Sequence, residues 1–237
     1  MYPGGKAGAG VYQQIINQMP PHEAYVEGFL GGGSIMHIKK PARVNIAIEK
    51  DAAVLNRYAW GYPMSTFERI NDDALEVLPN IMWRVKKLAG EFIHSHQVMV
   101  YLDPPYLIDT RRPQRRIYRY ELSEDDHRRL LDIITQLDCK VMISGYASKL
   151  YDDALTAYGW RRVAFQAQTR AGLAWEILWM NYPEPIELHD YTHVGSNYRE
   201  RERIKRLIKR WQGRISKMDM LQRAALMQAL ENDRMTM

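Results

Sequence analysis

A single cysteine in 237 residues leaves the chain unable to close a disulfide within itself, which excludes an internally stapled secreted scaffold and fits a reducing cytoplasm. That thiol, Cys139, precedes the strand-like run Val141-Met142-Ile143-Ser144, where a buried and inert state is expected. No apolar run approaches the roughly 18–20 residues of a membrane span, so no membrane partner is expected. The N-terminus reads as a motif and not as a signal peptide. Histidines are scattered. His94 and His96 form the only close pair, and with no cysteine or carboxylate at ligand spacing beside them no metal site is expected. Nothing matches the dinucleotide fingerprint G-x-G-x-x-G or the phosphate loop ending in Gly-Lys-Ser/Thr, which disfavours a pyrophosphate ligand. The length leaves no room for a second full domain, and 46% hydrophobic residues suffice for the core of one α/β domain.

What is present centres on Asp103-Pro104-Pro105-Tyr106, directly after the apolar run Val98 to Leu102, which reads as a buried strand. Such a quartet suits chemistry on an exocyclic aromatic amine, a poor nucleophile because its lone pair is delocalised into the ring. The Asp103 carboxylate and the Pro104 carbonyl can both accept hydrogen bonds from an NH2, drawing the nitrogen towards tetrahedral geometry and aiming its lone pair. The prolines, with φ fixed near about −65°, hold that carbonyl rigid, Pro105 biasing Pro104 to extended geometry. Tyr106 is placed to stack on a base, an interaction worth roughly 1–3 kcal/mol that helps offset the extraction of a nucleotide from its duplex.

The N-terminal third reads as a strand (Ala24 to Glu27), a turn (Gly28-Phe29-Leu30-Gly31-Gly32-Gly33-Ser34) and the start of a helix at Ile35. Glycines there let the backbone approach a ligand. About twenty residues after the first of them a second strand, Val44 to Ile48, ends in Glu49, an acid placed to meet a ribose hydroxyl pair. A nucleoside ligand without phosphates fits this arrangement.

Taken in order, Tyr2-Pro3-Gly4-Gly5-Lys6, Tyr25 to Ser34, Glu49 and Asp103 to Tyr106 resemble the motifs of the Dam-like (D12 class) DNA adenine N6-methyltransferases, in a compact form that would fit a phage or prophage setting. The resemblance covers roughly residues 1–182. It implies a mainly parallel Rossmann-like α/β methyltransferase sheet with one antiparallel strand and helices on both faces. It implies S-adenosylmethionine as the methyl donor and no metal. Tyr2 and Lys6 would touch that donor, Glu27, Gly31 and Gly33 would line its methionine and adenosine, and Glu49 would bind its ribose. An acid near its adenine falls on Asp73 or the adjacent Asp72, and Asp103 counts with both the catalytic and the cofactor-binding sets. The first residue of the quartet being Asp points to adenine; cytosine N4, RNA adenine and an inactive DNA-binding regulator stand as alternatives. Two departures stand out. The large recognition insert of the family is missing, since residues 74–102 read as one helix that packs on the sheet and a strand. Gly28 stands where many relatives carry proline, with both residues expected to serve a turn.

After the quartet comes a basic segment whose Arg111, Arg112, Arg115, Arg116 and Arg119 interleave with Tyr118 and Tyr120, the composition of a loop that grips phosphates and stacks on bases. Ser123 caps a helix running to Leu137. A strand at Val141 to Tyr146, a short helix, and two strands over Trp160 to Gln168 and Leu173 to Tyr182 complete the expected sheet. Pro183, Pro185 and Gly195 mark a break at 183–198. Beyond it a helix carries Arg203, Arg206, Arg210 and further cations on one face and Ile204, Leu207, Ile208 and Trp211 on the other. Double-stranded DNA is its first expected partner. A homodimer contact and a plain solvated face are the other two uses, and residues 183–237 are read as a linker with a basic helical extension.

Overall fold

The computed structural model of the chain describes residues 4–8, 10–57, 66–89, 93–111, 114–169 and 172–236. Five-residue runs buried at every position form Ala24–Gly28 (β1), Val44–Ile48 (β2) and Val98–Leu102 (β4), as central parallel strands covered on both faces require. Thr66–Ile70 (β3), Lys140–Tyr146 (β5), Arg161–Thr169 (β6) and Gly172–Met180 (β7) join them in one sheet, in the order β3-β2-β1-β4-β5-β7-β6. Strands β1 to β5 pair in parallel, whereas β7 runs antiparallel to both β5 and β6. This is the Rossmann-like α/β arrangement with one reversed strand that the sequence led us to expect.

Period-2 alternation divides the strands between two cores. On one face Val26, Ile46, Val100, Ile143 and Trp179 pack beneath Ala74–Val77 (α4), Ile81–Ala89 (α5), Glu124–Thr135 (α6) and Lys149–Thr156 (α7). On the other, Tyr25, Ala47, Met99, Tyr101, Met142 and Leu178 meet Val11–Ile16 (α1), Ser34–Ile38 (α2) and Leu55 of Ala52–Leu55 (α3). Helix α6 starts as its sequence indicates, with the Ser123 hydroxyl accepting from the Asp126 amide at 3.1 Å and the Asp126 carboxylate accepting from the Ser123 amide at 2.9 Å. The single helix expected after Asp73 is in fact α4 and α5 with a 3-10 turn, Leu78–Asn80, between them, because Pro79 cannot continue an α-helical ladder. It packs on the sheet nonetheless, burying Leu75, Leu78, Ile81 and Val85.

Compact contacts hold residues 4–192 together as one unit, with the segment after Tyr182 kept in it by His189, which stacks on His22 at 3.7 Å, and by Asp190, which accepts from the Lys40 amide at 2.9 Å. His193–Met237 form a second unit. There Asn197 caps Tyr198–Ile215 (α8) and Asp219 accepts from the Gln222 amide at the start of Met220–Thr236 (α9). Among the described residues no helix is long and apolar enough to cross a membrane.

Gly28 is the last residue of β1 and not part of the turn itself. A Cβ there would stand 2.6 Å from Leu102 Cδ2 in the neighbouring strand, so close packing of strands accounts for the glycine. Gly28→Ala is expected to destabilise the protein by about 1–3 kcal/mol through overpacking. In urea titrations the midpoint should fall at unchanged slope.

Candidate active site

The carboxyl ends of parallel strands converge where the strand order reverses, between β1 and β4, and a crevice at such a switch point is where open α/β sheets bind ligands. A cleft of about 130 Å³ opens there, lined by Gly4 to Lys6, Glu27, Phe29 to Ile35, Ile48 to Asp51, Asp73, Tyr101, Asp103, Pro105 and Ile117 to Leu122. Polar side chains gather at this edge of the sheet by parity. On the face carrying Tyr25, Tyr101, Met142 and Leu178, the next positions towards the carboxyl edge are Glu27, Asp103, Ser144 and Glu176.

Asp103 is fixed on both sides. Its Oδ1 accepts from the Ser144 hydroxyl at 2.8 Å, and its Oδ2 lies 2.9 Å from Lys6 Nζ, with the carboxylate still 20% exposed. Lys6 also reaches Glu176 Oε2 at 3.7 Å and donates to the Gly4 carbonyl at 3.3 Å. Burial would lower the Lys6 ammonium, but Asp103 and Glu176 outweigh that and hold it well above an ordinary lysine. Lys6 is therefore a fixed cation and not a base. Tyr106 crosses Tyr146 edge to face at 4.6 Å, lies under Lys6 Nζ at 5.0 Å, and donates its hydroxyl to Glu176 at 3.4 Å. Behind the quartet the buried ring of His127 pairs with the Tyr151 hydroxyl at 2.8 Å.

The glycine turn is tightly wound. Phe29, Gly31 and Gly33 have φ of 57°, 50° and 59°. For phenylalanine this left-handed state costs roughly 1–2 kcal/mol, the kind of strain that gathers at ligand loops. Glu49 closes the turn, accepting from the Gly31 amide at 2.8 Å and the Asp51 amide at 2.9 Å. Burial raises its carboxyl above the usual range although both amides pull it down. Glu27 is buried and accepts from the Tyr25 hydroxyl at 2.8 Å, and burial pushes it up to about 8 although Tyr25 and the Met36 backbone pull it down. Of the two adjacent acids after β3, Asp73 lines the cleft; its carboxylate caps α4 through the Leu75 amide and accepts from Lys50 at 2.7 Å.

The basic loop is organised by Glu121, a residue that its place at the end of an arginine-rich run does not single out. Its carboxylate takes both guanidinium nitrogens of Arg111, at 2.9 and 2.6 Å, and the amides of Ile117 and Tyr118 at 2.7 and 2.9 Å. Burial raises Glu121, but Arg111 and the two amides more than offset this and leave it below the usual range. Arg111 is thus a buried internal partner, whereas Arg115, Arg116 and Arg119 are exposed. Tyr2 and Arg112 lie outside the described residues. Arg203, Arg206 and Arg210 stand on α8 in the second unit, where Arg203 is 3.6 Å from Glu200 and Arg206 donates to the Glu202 carbonyl at 3.2 Å. Ser144 and Glu176 also escape a reading by motif. Each has a signal: a polar residue closing the apolar run Val141 to Ile143, and a lone acid inside Leu173 to Met180. Among the described residues no cluster of three His, Cys, Asp or Glu could hold a metal ion.

No family model and no curated protein matches the sequence. Solved structures with a similar course of the chain include the N-methyltransferase NodS from Bradyrhizobium japonicum WM9, at 8% identity and TM-score 0.43 over 74% of this chain and 95% of that one. Magnesium protoporphyrin IX methyltransferase from Synechocystis PCC 6803 follows at 11% and 0.43, over 73% and 76%. A precorrin 8W decarboxylase from Methanobacterium thermoautotrophicum matches at 12% and 0.41, over 76% and 91%. Likeness of this degree carries no weight for reaction or substrate.

Glu27 ties stability to pH. Its folded pKa of about 8 lies above the ordinary value of 4.5, so its stabilising contribution is complete below the unfolded pKa and is lost as pH rises through the folded one. Glu27→Gln removes this dependence. The unfolding free energy of the variant minus that of the wild type should climb in favour of the variant between pH 4.5 and about 8; a flat difference in denaturant titrations across that window would refute the shifted carboxyl.

Proposed function

We propose that this chain is an S-adenosylmethionine-dependent methyltransferase that modifies the exocyclic amine of adenine, N6, in double-stranded DNA, on a base extruded into the site. One observation carries the reading: Asp103 of Asp103-Pro104-Pro105-Tyr106 stands at the carboxyl end of β4, immobilised by Ser144 and Lys6, on the rim of a cleft whose opposite wall is the glycine turn closed by Glu49.

The residues present fit such a donor. Gly31 and Gly33, in conformations that suit glycine, leave the backbone open to close approach, while Glu49 and Asp73 line the same cleft and would hold ribose and adenine. The carboxyl groups of Glu27 and Asp103 line the wall where a sulfonium would lie. When bound, the donor supplies an electrophilic methyl group. The chain's own task is to prepare the acceptor: the Asp103 carboxylate and the Pro104 carbonyl accept from the amine and orient its lone pair, and Tyr106 stacks on the ring. Lys6, kept cationic, lies 2.9 Å from Asp103 Oδ2 and fixes the direction of that carboxyl group. Arg115, Arg116 and Arg119 flank the cleft as phosphate contacts, and Arg203, Arg206 and Arg210 on α8 offer a second set.

Incubation with tritiated S-adenosylmethionine and unmethylated genomic DNA, followed by nucleoside analysis and sequencing of modified positions, should place label in N6-methyladenine at a short common motif. Label in N4-methylcytosine or in RNA would reassign the acceptor, and no label despite donor binding would leave a regulatory protein. Asp103→Ala should abolish transfer in a protein that still folds, as read by circular dichroism; turnover near the wild-type rate would remove the role given to Asp103. Replacing Arg115, Arg116 and Arg119 with alanine should flatten the salt dependence of DNA binding by about 0.9 in slope per phosphate contact removed.

A further inference from the structure

Glu176 has no part in preparing the amine, yet it is 6% exposed at the heart of the site. In register it stands between Phe165 and Tyr146, where β7 leaves the edge of β5. Lys6 lies 2.9 Å from Asp103 but 3.7 Å from Glu176, so its ammonium belongs chiefly to Asp103. The other polar neighbour, the Tyr106 hydroxyl at 3.4 Å, marks the end of the stacking ring furthest from its backbone. A base lying on Tyr106 therefore meets Asp103 at one end and Glu176 towards the other.

Resting on the methyltransferase reading, we propose that Glu176 is the specificity-determining residue of the base pocket, donating its carboxyl proton in a hydrogen bond to the unprotonated ring nitrogen beside the reacting amine, N1 of adenine or N3 of cytosine. The proton stays on the carboxyl, and no covalent bond forms or breaks. Asp103 as acceptor and Glu176 as donor then match the donor–acceptor edge of an amino base. Guanine and thymine present a ring N–H in that place and meet a donor with a donor. Burial pushes the Glu176 carboxyl up, Lys6 pulls it down and Asp103 pushes it up again, with the net direction upward, towards the protonated form that a donor requires. The contacts of Tyr106 and Lys6 both fall on Oε2, which leaves Oε1 for the base.

The test is a cycle of enzyme and base variants in single-turnover methylation, using duplexes that carry adenine or 1-deazaadenine at the target. If the product is N4-methylcytosine, 3-deazacytosine takes the place of 1-deazaadenine. The wild type should act on the deaza base about 10- to 100-fold more slowly, the cost of an unmatched buried donor. Glu176→Gln keeps an N–H donor and should retain discrimination, with the rate on adenine within about tenfold of wild type. Glu176→Ala should lose rate on adenine yet barely distinguish the two bases, so that the losses fail to add. Donor binding within about threefold of wild type checks that each variant is folded. Additive losses, with Glu176→Ala discriminating as strongly as wild type, would overturn the proposal and assign Glu176 to holding Lys6. Absence of turnover by the wild type on any amino base would instead overturn the parent reading, and this one with it.

Discussion

The ion pair between Lys6 and Asp103 is the constraint around which the site is built. Lys6 comes from an N-terminal segment with no regular structure in residues 4–8, and Asp103 from the end of the central strand β4, so one contact of 2.9 Å fastens the start of the chain onto the middle of the sheet. Both groups are largely out of water, and removing one partner of a buried pair typically costs about 3–5 kcal/mol because the survivor is left unmatched. The segment is held from the other side as well. A Cβ on Gly4 would fall 2.3 Å from the Tyr118 hydroxyl, so Gly4 packs directly under the basic loop. The quartet, the N-terminal motif and the loop thus form one assembly, although they are separated widely in sequence.

Strand parity explains why acids gather at this edge of a basic protein. The chain carries +5 overall, yet Glu27, Asp103 and Glu176 share one sheet face at one end with Lys6 as the cation among them. Alternate residues of β1, β4, β5 and β7 that are apolar under α1 and α2 become polar where the helices end and the cleft begins. Net charge is a property of the surface and speaks to association with other molecules; the chemistry is decided by a local balance of opposite sign. On the proposed reading, a cationic donor would meet the buried acids and a polyanionic substrate the exposed arginines.

Much of this architecture is legible in the amino-acid sequence. Strand β4 announces itself by an unbroken apolar run and β1 and β2 by apolar runs broken only at Glu27 and Asn45, the cap of α6 by Ser123 and Asp126, and the hairpin of β6 and β7 by its aromatic and β-branched content. The edge strand β3, Thr-Phe-Glu-Arg-Ile, is silent because an exposed edge tolerates charge and shows no buried pattern. Helices α1 and α3 are only six and four residues long, too short for periodicity to register. In the site, the motif residues are visible to sequence and their partners are not. Ser144 and Glu176 lie 41 and 73 positions from Asp103, brought near it only by a strand register that no local spacing reveals. Arg111 shows the converse: within a run of arginines nothing in its own surroundings distinguishes the buried one, and the acid that claims it stands ten residues on.

That last pairing has consequences for how the two ligand surfaces relate. Glu121 holds Arg111 and the amides of Ile117 and Tyr118, so a single carboxylate ties the residue that follows the quartet's 3-10 turn to the stretch that lines the cleft. The inward side of that loop, Ile117 to Leu122, lines the cleft, while Arg115, Arg116 and Arg119 face solvent. Arg119 does both, its guanidinium 3.7 Å from Asp51 at the cleft rim yet mostly exposed. Any ligand that steadies the inner side steadies the outer one, and by linkage the reverse must hold to the same degree. On the proposed reading, donor and nucleic acid would bind to two sides of one segment that Glu121 holds together.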